Sequence, residues 1–84
     1  MATNLKNLND YKVENIPDAS EMQFGIVVSE WHDSICESLR QGCEDTFLKH
    51  GVKSENLHII HVPGSFELPA GAKTLLTSQK LDGI

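Results

Sequence analysis

From Met22 to Val28 the chain runs almost unbroken through apolar residues, the longest stretch being Phe24-Gly25-Ile26-Val27-Val28. A short run rich in β-branched side chains predicts a strand buried on both faces. The pattern then changes period. Ile35, Leu39, Cys43 and Phe47, with Gly42 and Thr46 beside them, form an apolar stripe at helical spacing. Ser34 and Glu37 stand three apart at its start, which predicts a capping box with Ser34 as the N-cap. Lys49 and His50 followed by Gly51 predict its end, because cations and then a glycine suit a helix C-terminus. Leu57 to Val62 reads as a second buried strand. Pro63-Gly64-Ser65 turns the chain. Pro69 fits the first turn of a second helix, which runs to about Gln79 with Leu68, Ala72, Leu75 and Leu76 inward. Asp82-Gly83-Ile84 opens a third strand.

Strand, helix, strand, helix implies an α/β fold: a parallel sheet with right-handed crossovers and helices on its faces, three layers in all. Residues 1–21 are polar and weakly patterned, and read as an extended arm; residues 22–84 read as one α/β unit with two βα repeats. A chain of 84 residues is one domain at most, and at this size buries only roughly 60% of its unfolded surface. Two parallel strands are few for a stable sheet. The expectation is therefore part of a longer subunit, or a chain completed by a partner.

Composition narrows the function classes. The net charge is −5, with only seven Lys and Arg in all, and these are scattered rather than striped. That disfavours nucleic acid, whose binding depends on clustered cations. No run approaches a membrane span, and the first residues lack the layout of a signal peptide. A cytoplasmic location is the expectation. Cys36 and Cys43 lie two helical turns apart, too far to bridge, and read as small core residues.

In parallel α/β sheets ligands bind beyond the carboxyl ends of the strands. Those ends carry Ser29-Glu30-Trp31-His32-Asp33 and Val62-Pro63-Gly64-Ser65-Phe66-Glu67. Trp31 is the single tryptophan, and its face suits a flat, π-rich ligand; an aromatic closing the core would look the same. Gly64-Ser65 leads into a helix whose first N–H groups can meet acceptors on a ligand. Glu67 can accept from ligand hydroxyls, or simply favour the helix start. His32, beside Trp31, is the best-placed histidine for ligand contact. His58 and His61, three apart on a strand, point to opposite faces and cannot share a metal. His50 reads as a surface cation or neutral cap. No GxGxxG or P-loop is present.

Taken together, these stretches resemble the lumazine synthase family. Phe24-Gly25-Ile26-Val27-Val28 with Glu30-Trp31 is similar to the family's first core strand and aromatic site residue. Lys49-His50-Gly51-Val52 resembles its helix ending. Val62-Pro63-Gly64-Ser65-Phe66-Glu67-Leu68-Pro69, followed by Ala70-Gly71-Ala72-Lys73, resembles its early motif, and Asp82-Gly83-Ile84 its next strand. The resemblance covers residues 22–84.

It implies a condensation that uses neither metal nor cofactor. In it 5-amino-6-(D-ribitylamino)uracil and 3,4-dihydroxy-2-butanone 4-phosphate give 6,7-dimethyl-8-ribityllumazine, the precursor of riboflavin. Trp31 would stack on the pyrimidine, Ser65 and Phe66 would offer backbone groups, and Glu67 would bind the ribityl chain. No catalytic residue is expected within the chain. The proton-donor histidine and the phosphate-binding turn belong to the family's later segment, and His61 does not match that histidine. The family usually has asparagine where His32 stands. Homo-pentamers or larger shells are implied, with the arm joining a neighbour. Two other readings compete: an inactive remnant or assembly partner, and an unrelated small flavodoxin-like binding module. The last would carry an acidic cluster or phosphate loop after the first strand, where only Glu30 and Asp33 stand.

Overall fold

A computed structural model describes residues 12–84. Residues 1–11, most of the expected arm, lie outside the described residues. Four regular elements follow in chain order: strand β1 (Phe24–Ser29), helix α1 (Asp33–Lys49), strand β2 (Leu57–Val62) and helix α2 (Leu68–Ser78). Short 3-10 turns precede β1 at Val13–Asn15, β2 at Ser54–Asn56 and α2 at Ser65–Glu67.

The strands pair in parallel, from Phe24 opposite Leu57 to Ser29 opposite Val62. The third strand begins where the sequence places it. Gly83 bridges Phe24 in parallel, and the Gly25 N–H donates to the Gly83 carbonyl at 3.0 Å. Just ahead, the Asp82 N–H donates to the Gln23 carbonyl at 2.7 Å, while the Gln23 N–H donates to Asp82 Oδ2 at 2.8 Å. The order across the sheet is therefore β2, β1, then residues 82–84.

Side-chain alternation along a strand assigns one helix to each face. On one face Phe24 stacks on Phe47 of α1, ring centroids 4.5 Å apart. On the other, α2 crosses at Gly71, where a β-carbon would lie 2.7 Å from Val27 Cγ1 and 2.9 Å from Val62 Cγ1. The expected three layers are present. Val28, Val52, Leu57, Val62 and Leu75 are buried and form the core. Among the described residues no helix is long and apolar enough to cross a membrane.

The end of α1 follows its sequence closely. Gly51 has φ 96°, the left-handed conformation that glycine adopts without penalty. Its N–H donates to the Leu48 carbonyl and that of Val52 to the Phe47 carbonyl, which satisfies carbonyls that the helix itself leaves open.

The start of α1 differs from expectation. His32, not Ser34, is the N-cap, and no side chain caps the helix. The N–H groups of Ile35 and Cys36 both donate to the His32 carbonyl, each at 3.0 Å. Ser34 thus lies inside the first turn, and Glu37 turns elsewhere. The stripe on α1 is also less buried than its spacing predicts: Ile35 is 61% and Leu39 68% exposed, and Cys43 is exposed while Cys36 is half-buried. Only Phe47 of that row reaches the sheet's aromatic partner. On α2, Leu75 is buried and Leu68 and Ala72 half-buried, but Leu76 is exposed. One position beyond Leu75 is a rotation of about 100° on a helix, which carries Leu76 off the packed face.

Candidate active site

Because Ser29 and Val62 are register partners, the loops that follow β1 and β2 leave the sheet side by side. The Glu30 N–H donates to the Val62 carbonyl at 2.8 Å, which continues the ladder one step past the strands. Trp31 comes next. Its N–H donates to Ser29 Oγ at 3.1 Å, and its carbonyl accepts from Cys36 Sγ at 3.1 Å. The loop is thereby anchored by its backbone, and the indole is left 70% exposed.

His32 is exposed, and its ring meets the indole edge-on, 6.0 Å between centroids. Its backbone is left-handed, φ 56° and ψ 56°, the only positive φ outside glycine among the described residues.

The second loop is a 3-10 turn rather than the immediate helix start that the sequence suggests. The Glu67 N–H donates to the Gly64 carbonyl at 3.1 Å, and the Leu68 N–H to the Ser65 carbonyl. Those two amides are spent within the turn. The N–H groups of Ser65 and Phe66 take no partner among the described residues. Ser65 is exposed, Phe66 is 93% exposed, and Glu67 is half-buried. The Glu67 carboxylate folds back over Gly64, with both oxygens 3.9 Å from where a β-carbon would sit. It accepts no hydrogen bond from the described residues, so its acceptor capacity is open. Two free amides, an open carboxylate and an exposed indole make an arrangement that can hold a planar heterocycle with a hydroxylated chain.

The structure also brings together a group of side chains that the sequence kept apart. Glu37 Oε2 accepts from Arg40 Nε at 2.7 Å, and Arg40 Nη1 donates to Glu44 Oε1 at 2.7 Å. Glu37 Oε1 meets His61 Nε2 at 2.9 Å. The Arg40 hydrogen bond, with help from His61, holds the Glu37 carboxyl below its ordinary range, and Glu37 and Glu44 raise Arg40 above its own. The i,i+3 and i,i+4 spacing of Glu37, Arg40 and Glu44 was visible in the sequence; the partner across the sheet was not. His58 points to the opposite face, as the strand period requires, with Nε2 3.0 Å from Gln23 Oε1. Among the described residues no group of three or more His, Cys, Asp or Glu is placed to hold a metal ion.

Comparison with known proteins adds a family. Residues 21–84 match the model of 6,7-dimethyl-8-ribityllumazine synthase. Proteins of that name from Parabacteroides distasonis and Porphyromonas gingivalis are 51% and 40% identical over 84 residues, all of this chain and 52% of each relative. One from Bacteroides fragilis is 48% identical over 63 residues, 75% of this chain and 44% of that protein. The chain thus spans about half the length of the curated relatives it matches. On the family match and these identities, this chain belongs to the 6,7-dimethyl-8-ribityllumazine synthase family.

Proposed function

We propose that this chain supplies the ring-stacking and ribityl-binding part of a site that makes 6,7-dimethyl-8-ribityllumazine in riboflavin biosynthesis. The observation that carries the reading is the joining of the two strand ends at Glu30 and Val62, which sets Trp31 and the Ser65–Glu67 turn on neighbouring loops. The substrates are 5-amino-6-(D-ribitylamino)uracil and 3,4-dihydroxy-2-butanone 4-phosphate. The 5-amino group condenses with the ketone and water leaves. Loss of phosphate follows, and ring closure by the ribitylamino nitrogen releases a second water. Every bond change is a condensation or an elimination, so the reaction needs no redox cofactor.

In this reading Trp31 stacks on the pyrimidine, the Ser65 and Phe66 N–H groups donate to ring oxygens, and Glu67 accepts from ribityl hydroxyls. His32 flanks the ring. Holding two reactants in register supplies much of the rate in such a reaction. Proton transfer and phosphate binding fall to the family's later segment. The domain reading (an arm over residues 1–21 and an α/β unit over 22–84), a cytoplasmic location and a homo-oligomer, a pentamer or larger shell, belong to the same proposal. Ile35 and Leu39, both exposed and one turn apart on the same side of α1, support the oligomer, since adjoining apolar side chains at a surface mark association.

The test is calorimetric titration of the polypeptide, as its gene encodes it, with a 6-ribitylaminouracil carrying an unreactive 5-substituent. Trp31→Ala should weaken binding about tenfold, the scale of an aromatic stacking contact, and Glu67→Gln should weaken it further for a ribityl than for a methyl substituent. Unchanged affinity in both variants sinks the proposal. Reading the gene beyond the Ile84 codon separates a working subunit from an inactive assembly partner: a glycine-rich turn and a histidine in frame support the first.

A further inference from the structure

The two loops assigned to the ring and the ribityl chain are joined a second time, through side chains. Glu37 lies in the first turns of α1, directly after the Trp31 loop, and His61 lies on β2, directly before the Val62–Glu67 turn. Glu37 Oε1 and His61 Nε2 are 2.9 Å apart, the only side-chain hydrogen bond between α1 and β2 among the described residues. Glu37 is gripped from its own helix as well, its other oxygen accepting from Arg40 Nε at 2.7 Å.

We propose that Glu37 and His61 are positioning residues, a tie that sets the Trp31 loop against the Ser65–Glu67 turn and so fixes the span between ring and ribityl contacts. The assignment rests on the function proposed above. Geometry carries it. The Glu30–Val62 backbone bond fixes where the strands end, but α1 has no side-chain cap at its start, so the angle at which it leaves Trp31 depends on what holds its first turns. Glu37 holds them to β2 on the face that α1 covers. Arg40, hydrogen-bonded to the same carboxylate, holds the Glu37 carboxyl below its ordinary range, which favours the ionised acceptor. The pair is partly open to solvent, 37% at Glu37 and 42% at His61, and solvent screening limits its strength. A small loosening of a two-point contact is the expected effect.

The test uses the polypeptide as its gene encodes it, the same ribitylaminouracil analogue, and thermal melting beside calorimetry. His61→Ala should raise Kd about two- to fivefold, the range set by partly exposed pairs. Glu37→Ala should do the same, and the double variant should be no worse than the weaker single, because both remove one interaction. His61→Gln, which can still donate to Glu37, should recover affinity. Glu44→Ala, which frees the far side of Arg40 without touching the tie, should bind like wild type. Lower melting temperatures with unchanged Kd in His61→Ala and the double variant would overturn the inference, as would an equal loss in Glu44→Ala. No binding by wild type would instead overturn the functional reading, and this inference with it.

Discussion

His32 holds the backbone in the left-handed region, at φ 56°, where a β-carbon crowds the following carbonyl and costs about 1–2 kcal/mol for most residues. Asparagine and glycine bear that cost best. The family resemblance places asparagine at this position, and the left-handed turn gives it a conformational reason that needs no contact from the amide. His32→Asn should therefore leave stability unchanged or slightly raised, and His32→Val should lower it by about 1–2 kcal/mol, read from urea denaturation. Both variants keep Trp31 and the Glu30–Val62 bond. If His32→Val melts like wild type, the turn is not what selects this residue. The neighbouring positions show what sequence can carry at this scale. That Trp31, Ser65, Phe66 and Glu67 sit at strand ends was legible from the order of elements alone. That the Ser65 and Phe66 amides are open while those of Glu67 and Leu68 are closed was not, because a 3-10 turn and a helix start share one residue pattern. Glu37 was legible as a helix-start carboxylate and took a different partner. His61 comes within reach only when β2 lies beside β1.

At the scale of elements, two glycines that look alike in sequence have opposite meanings. Gly42 and Gly71 each sit inside a helix. A β-carbon at Gly42 meets nothing within 4 Å, whereas one at Gly71 meets Val27, Val62 and Ile60 at 2.7, 2.9 and 3.4 Å. Gly42→Ala should stabilise the protein by about 0.5–1 kcal/mol, the helix preference of alanine over glycine. Gly71→Ala gains the same preference and loses more to the clash, since overpacking costs about 1–3 kcal/mol; the net is a loss, greater still for Gly71→Leu. Thermal unfolding of the single variants checks both signs, and a stabilising Gly71→Ala would mean that α2 can ride away from the sheet. The elements themselves were readable because each carries its own period and stop signals, as Lys49-His50-Gly51 and Pro69 show. Burial was less readable. Ile35 and Leu39 have core spacing, yet α1 meets only a narrow sheet here, and the outer part of its apolar stripe finds nothing to lie against among the described residues.

For the molecule as a whole, the order β2, β1, residues 82–84 places β1 in the middle. Gln23, at its entrance, serves both sides: its backbone exchanges two hydrogen bonds with Asp82, and its side chain meets His58 of β2. The same arrangement puts the β1 end, and with it Trp31, at the inner position of the sheet's carboxyl edge, the edge at which parallel α/β sheets bind ligands. It also has a kinetic consequence. Pairing with β2 and pairing with residues 82–84 close loops of different length, but the entropic difference grows only with the logarithm of length, about half a kcal/mol for a loop nearly twice as long. Neither pairing has to precede the other, and both wait for β1. In stopped-flow measurements, then, Val28→Ala should act chiefly on the folding rate, whereas Asp82→Ala, at one flank, should act chiefly on unfolding. A chain whose folding waits on β1 has that strand made before either of its neighbours leaves the ribosome.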